Sequence, residues 1–232
     1  MSFITILDCA QGAKAIYKNL DFDNFRLLGG FFDPKNTPRF GWAEEGDAGG
    51  ASTGLYKFEK NAAMYMVSFR GSAGKPHKDG KDWLDDDVSI ALGRMPDRAN
   101  DALRYTQSIK QQYPNAFIIL VGHSLGGHLA QVCGVHCNLP FITFNAPPAL
   151  GTWSGKLANG ASTRHFKLGL NFRVNWDPVS RASGKHVGPL QTLPHQGLNI
   201  TNAHGGAAVV KSVMASGLGG LPAMGAITAA NR

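Results

Sequence analysis

AFIILVGHSLGGHLAQVCGVHC, residues Ala116 to Cys137, is the stretch that decides the fold. Its first seven residues, Ala116 to Gly122, carry no polar side chain. A run this short, with β-branched Ile118, Ile119 and Val121, is expected as a strand buried on both faces of a parallel sheet. The residues after Ser124 show no alternation and read as a helix entered through a tight turn. Gly122-His123-Ser124-Leu125-Gly126 therefore fits G-x-S-x-G at a strand-to-helix junction, where a serine is held at the tip of a sharp turn. A side chain at Gly122 or Gly126 would collide with the neighbouring strand or helix. The helix starting at Leu125 aims free N–H groups and the positive end of its dipole at the serine, so the Leu125 N–H is expected as one donor to a developing oxyanion.

Outward from this junction the pattern repeats. Leu139–Pro147 (LPFITFNAP) and Leu170–Pro178 (LNFRVNWDP) read as further buried strands, GPLQTLP after Val187 as a last strand, and Gly205–Ser216 as a last helix. Upstream, TGLYKFEKNAAMYMVSFRG alternates on either side of Glu59-Lys60-Asn61, a strand, turn and strand, and Asp97–Tyr113 has helical spacing with one wet face. Short strands separated by helix-length segments predict an α/β fold, a mostly parallel central sheet flanked by helices, in a single domain over residues 1–232. Residues 1–50, punctuated by Gly, Pro, Asn and Asp beyond a weak helical pattern at Ala10–Leu20, are expected as an irregular wrap. Residues 217–232, rich in small side chains, are expected as a loosely packed tail.

A serine nucleophile needs a base, and the base an orienting acid, in the chain order Ser, acid, His for this kind of sheet. Charge counting selects the acid. Residues 1–100 hold 13 Lys/Arg and 14 Asp/Glu, whereas residues 101–232 hold 10 Lys/Arg and only 2 Asp/Glu, Asp101 and Asp177. Asp177 is thus the one carboxylate side chain after Ser124, and it lies just past a predicted strand, where open sheets carry functional groups. Three histidines lie beyond it. His186 is expected to pack or cap locally, His204 lies in the loop between last strand and last helix from which a base is presented, and His195 is the alternative base.

The rest of the composition mostly excludes. Cys9, Cys133 and Cys137 are an odd set that cannot build a disulfide framework. Their spacing with His128 and His136 lacks the paired ligands of a zinc module, so neither metal nor cofactor is expected. No apolar run is long enough to span a bilayer, and the first twenty residues lack the basic region and apolar core of a secretory signal. Synthesis in the cytoplasm is expected, with any export by a signal-independent route. The formal charge of +7 is dispersed, without a basic run or interleaved aromatics, which argues against a nucleic-acid partner. It is compatible with an anionic membrane surface.

Six motifs in matching order resemble those of the class 3 lipases, the fungal-lipase-like branch of the α/β-hydrolases. They are Phe69-Arg70-Gly71-Ser72, Asp82-Trp83-Leu84, Gly122–Gly127, Thr143-Phe144-Asn145-Ala146-Pro147, Asn175-Trp176-Asp177-Pro178-Val179 and His186-Val187-Gly188. Gly50–Tyr56 (GASTGLY) is similar to bacterial members in particular. The resemblance covers Gly50 to Ser216 and implies an α/β-hydrolase fold and a lipase or phospholipase A1 type of activity on acyl lipids through an acyl-serine; the alternatives are a soluble esterase or thioesterase using the same triad on a small ester, and a non-catalytic hydrolase fold that binds lipid or protein. It implies Ser72 as the second oxyanion donor, Asp86 as the group orienting the Ser72 hydroxyl, and His204 as base, with His186 outside the catalytic set. It further implies an antibacterial effector with a cognate neutralising (immunity) protein. Two departures stand out. The segment between Ser72 and Trp83, AGKPHKDGKD, is polar and Gly-rich where the fungal enzymes carry an amphipathic lid, so an open or loop-gated site is expected. The spacing of 27 residues from Asp177 to His204 is short for the fungal enzymes, which keeps His195 as the alternative.

Overall fold

The apolar run becomes the middle strand of a seven-stranded sheet. In the computed structural model, which describes residues 2–31, 53–71, 95–150, 166–182, 184–196 and 203–232, the strands are β1 (Phe25–Phe31), β2 (Thr53–Phe58), β3 (Met64–Phe69), β4 (Phe117–His123), β5 (Phe141–Phe144), β6 (Gly169–Val174) and β7 (Leu190–Leu193). They lie side by side in chain order; β1, β2 and β3 pair antiparallel and β3 to β7 parallel. The helices described are α1 (Ile6–Ala15), α2 (Met95–Gln112), α3 (Leu125–Cys137), α4 (Gly206–Ala215) and α5 (Ala223–Ala230). This is the mostly parallel, helix-flanked sheet of an α/β-hydrolase.

The two faces of β4 explain why its sequence shows no alternation. Ile119 and Val121 face a core shared with Met66, Ile142 and Phe172, while Ile118 and Leu120 face a second core with Val67, Phe69 and Phe141. Both faces are covered, so both must be apolar. Crossovers that step across a sheet in one direction place their helices on one face when all are right-handed. In keeping with this, α2 and α3, between β3, β4 and β5, both pack on the second core. The first core is then left to the chain ends, and α1, α4 and α5 cover it.

That division corrects both terminal expectations. Thr5 and Asp8 form a capping box, with Thr5 N–H donating to Asp8 Oδ2 at 2.8 Å and Asp8 N–H to Thr5 Oγ1 at 3.1 Å, and α1 therefore starts earlier than its periodicity suggests. It buries Ile6, Cys9, Ala10 and Ala13. Residues 25–31, expected within an irregular wrap, form β1, whose register slips between Leu27 and Gly29. The slip expels Leu28 to 41% exposure and breaks the period-2 pattern that would announce a strand. The small-residue tail likewise contains α5, with Ala223 and Ile227 buried. Thr5 bridges Pro222, Ala223 N–H donates to the Ile4 carbonyl at 2.9 Å, and Asn231 Nδ2 donates to the Gly169 carbonyl at 2.9 Å, so the end of the chain is tied to α1 and β6.

All three cysteines are buried. Among the described residues no helix is long and apolar enough to cross a membrane. Ile227 sits in the first core, so Ile227→Ala is expected to lower unfolding stability by about 2–5 kcal/mol in a denaturant titration. A loosely packed tail would leave the midpoint unchanged.

Candidate active site

The turn from β4 into α3 is built by close approach. A Cβ on Gly126 would overlap the Phe69 carbonyl at the end of β3, and one on Gly122 would overlap the backbone of Gly126. Nothing larger than glycine lets the helix start so near the strand ends. Ser124, between them, has φ 57° and ψ −134°, a conformation L-residues adopt only under strain. It is held there by its N–H donating to the Phe144 carbonyl of β5 at 3.0 Å and by its own carbonyl accepting from Gly127 N–H at 2.9 Å, the first bond of the new helix. Leu125 is the first residue of α3, and the opening N–H groups of a helix have no partner within it.

His204 arrives from the segment before α4. Its Nε2 lies 2.9 Å from Ser124 Oγ and its Nδ1 2.7 Å from Asp177 Oδ1. Since a carboxylate only accepts, Nδ1 carries the proton and Nε2 is left to accept from the serine hydroxyl. Asp177 is fully buried and lies just past β6; its Oδ2 accepts from Ser180 N–H at 2.8 Å. Each carboxylate oxygen therefore has a donor, as burial demands. Ser124 is 6% exposed and the His204 side chain 12%, so both are set below the surface, and Asp177 lies fully buried behind them.

The other sequence candidates fall elsewhere. His195 rests against the Trp176 ring, 6.0 Å between centroids, with its Nδ1 buried and without a hydrogen bond. His186 packs locally, its Nε2 at 3.4 Å from the Ser180 carbonyl. Ser72 and Asp86 lie outside the described residues.

Three residues to which no sequence pattern assigns a role surround the base. Asn145, at φ 48° just past β5, donates from Nδ2 to the carbonyls of Ala203 at 2.8 Å and His204 at 3.2 Å, and accepts from Val174 N–H at 2.7 Å. It thus ties the ends of β5 and β6 to the loop that carries His204. His123 Nε2 donates to the same His204 carbonyl, and Tyr17, just past α1, reaches His123 Nδ1 at 3.2 Å. Burial, and secondarily the neighbouring His204 ring, pull the His123 pKa down to about 3. His123 and Asn145 both fall inside motifs of the sequence without a role attached, and Asn145 also stands out as a polar residue closing an apolar strand; Tyr17 is 106 residues from its partner.

Known proteins place the chain in a family. The family described as "Phospholipase-like: Tle-like phospholipase domain" matches residues 12–227. The extracellular phospholipase A1 of Serratia liquefaciens is 35% identical over 101 residues, which is 43% of this chain and 28% of that protein. The chain spans about a third or less of the length of the curated relatives it matches. Among solved structures, MDLA from Penicillium cyclopium, in a mutant form, superposes with a TM-score of 0.49 at 16% identity, over 97% of this chain and 90% of that one. The mono- and diacylglycerol lipase of Aspergillus oryzae gives 0.46 at 18% identity, over 97% and 95%. The family match extends over nearly the whole chain, from within α1 to within α5, and the chain belongs to the Tle-like phospholipase domain family.

Proposed function

We propose that this chain is a serine carboxylic-ester hydrolase of acyl lipids, of phospholipase A1 type. The observation that carries the reading is the hydrogen-bonded sequence Ser124 Oγ, His204 Nε2, His204 Nδ1, Asp177 Oδ1, at 2.9 and 2.7 Å. Ser124 Oγ attacks the ester carbonyl carbon while its proton passes to His204 Nε2. Asp177 holds the ring in the required tautomer and faces the imidazolium that forms. The carbonyl oxygen, now negative, is received by the Leu125 N–H, a donor of a kind worth about 3 kcal/mol in such sites, and Ser72 is the second donor that the family resemblance implies. The acyl C–O bond breaks, the alcohol leaves with the proton from His204, and acyl-Ser124 remains. Water then attacks the acyl carbon with His204 again taking a proton, and the fatty acid and free serine are released.

Membership of the family and the likeness to a phospholipase A1 support phospholipid as the substrate class. The charge distribution supports an anionic surface. Beyond Asp101 the chain carries basic residues almost alone, and Arg181, Lys185 and Lys211 are exposed. Each basic residue near an anionic bilayer contributes about 1 kcal/mol.

A fluorophosphonate probe is expected to label the wild type and leave Ser124→Ala untouched; an unlabelled wild type would sink the reading. Asp177→Asn is expected to lower kcat by about four orders of magnitude, because the ring loses the acceptor that sets its tautomer. His204→Ala should abolish turnover while His195→Ala keeps most of it, and the reverse result would transfer the base to His195. On vesicles, fatty acid should be released faster from phosphatidylglycerol than from phosphatidylcholine, with a preference that shrinks as salt rises through the screening range. Faster turnover of short p-nitrophenyl esters than of any vesicle would point to a soluble esterase instead.

A further inference from the structure

We propose that Tyr17 and His123 form a positioning relay that ties the backbone entering the oxyanion site to the backbone of the base; it rests on the hydrolase reading. Three hydrogen bonds carry it. Gly71 N–H donates to the Tyr17 hydroxyl at 3.1 Å. A carbonyl only accepts, so the bond between His123 Nε2 and the His204 carbonyl places the His123 proton on Nε2. With that ring neutral, Nδ1 is an acceptor and takes the Tyr17 hydroxyl proton at 3.2 Å. His204 Nε2 then faces Ser124 Oγ at 2.9 Å. The donors run one way, from Gly71 through Tyr17 and His123 to His204.

Its ends are the two places where catalysis needs accuracy. Gly71 directly precedes Ser72, and a Cβ built on it would lie 3.1 Å from Ser124 Cβ, so this peptide borders the nucleophile. At the other end, the His204 carbonyl is held by His123 and by Asn145. The Arg70 guanidinium, 5.7 Å from the centre of the Tyr17 ring, further fixes the ring. The relay also keeps a cation away from the base. The rings of His123 and His204 are 4.8 Å apart, and a proton on His123 would oppose the imidazolium on His204. The Tyr17 hydroxyl occupies the Nδ1 lone pair that such a proton would need. His123 itself touches no substrate; it acts through His204, and so does Tyr17.

Tyr17→Phe removes one hydroxyl and keeps the ring. It is expected to lower kcat and the rate of fluorophosphonate labelling together by about tenfold to a hundredfold, the scale of a small misplacement of reacting groups, with KM little changed. In ¹⁵N spectra the His123 ring should show the Nε2–H tautomer in both proteins, because the His204 carbonyl sets it, with the Nδ1 resonance shifted in Tyr17→Phe by loss of its hydroxyl donor. Wild-type kcat in a folded Tyr17→Phe would overturn the relay. Should that variant not fold, His123→Gln and His123→Ala decide: Gln still offers an N–H to the His204 carbonyl and is expected to recover much of the kcat that Ala loses, and equal losses would overturn the relay. Failure of the wild type to label would instead remove the hydrolase reading on which the relay rests, so the two failures are distinguishable.

Discussion

The contact between the first turn of α3 and the ends of β3 and β4 is the constraint on which the site depends. Gly126 lies against the Phe69 carbonyl and Gly122 against Gly126, at separations that exclude any Cβ. This closeness forces Ser124 into its strained conformation, a cost of about 1–3 kcal/mol for such a residue. The burial of α3, in which every residue except His136 is buried, offsets that cost. The helix cannot retreat without losing this packing. The same closeness aims its N-terminal N–H groups into the space that the Ser124 hydroxyl faces. The proposed nucleophile and the proposed oxyanion donor are thereby placed by one packing event.

Beyond that turn, the parallel sheet arranges the rest of the site. β4, β5 and β6 end on the same edge, and the segments leaving them bear Ser124, Asn145 and Asp177 in that order. His204 is the exception, because it lies in the chain beyond β7, the last strand, and yet meets Ser124 at the end of β4. A residue delivered this way is not positioned by strand register. Its loop is instead pinned by side chains from the strand ends, Asn145 to the carbonyls of Ala203 and His204, and His123 to the latter. The density of hydrogen bonds around one backbone carbonyl is the structural consequence of a base presented on a loop.

The same physics decides which parts of the molecule are legible in the sequence. β4 is visible because burial on both faces leaves an unbroken apolar run, β5 and β6 because theirs are interrupted only by Thr143 and by Asn171 and Arg173, and α2 because one wet face gives it a period. Ser124 is visible because glycine spacing reports a close approach directly, and Asp177 because the chain offers no other carboxylate side chain beyond Ser124. β1 is hidden by a bulge at Leu28, and α5 by a composition of Ala, Gly and Met with little contrast between its faces. Tyr17 and the anchoring role of Asn145 are hidden for a different reason. Their partners lie 106 and 58 residues away, and a single hydrogen bond across that distance leaves no periodicity and no spacing to read.

The electrostatics of the site connect one buried carboxylate to the proposed chemistry. Asp177 is a fully buried carboxylate whose partners in the resting state are a histidine N–H and one backbone N–H. Burying such a group is costly unless a counter-charge or sufficient donors are supplied. In the proposed mechanism the counter-charge appears only when His204 takes the serine proton, so the attraction is strongest in the transition state, the condition for lowering a barrier rather than merely tightening binding. Two features protect that difference. The Tyr17 hydroxyl occupies Nδ1 of His123, the nearest ring, and burial keeps that ring from carrying a charge that would oppose the imidazolium. A site of this kind is tuned as much by the charges it omits as by the one it buries.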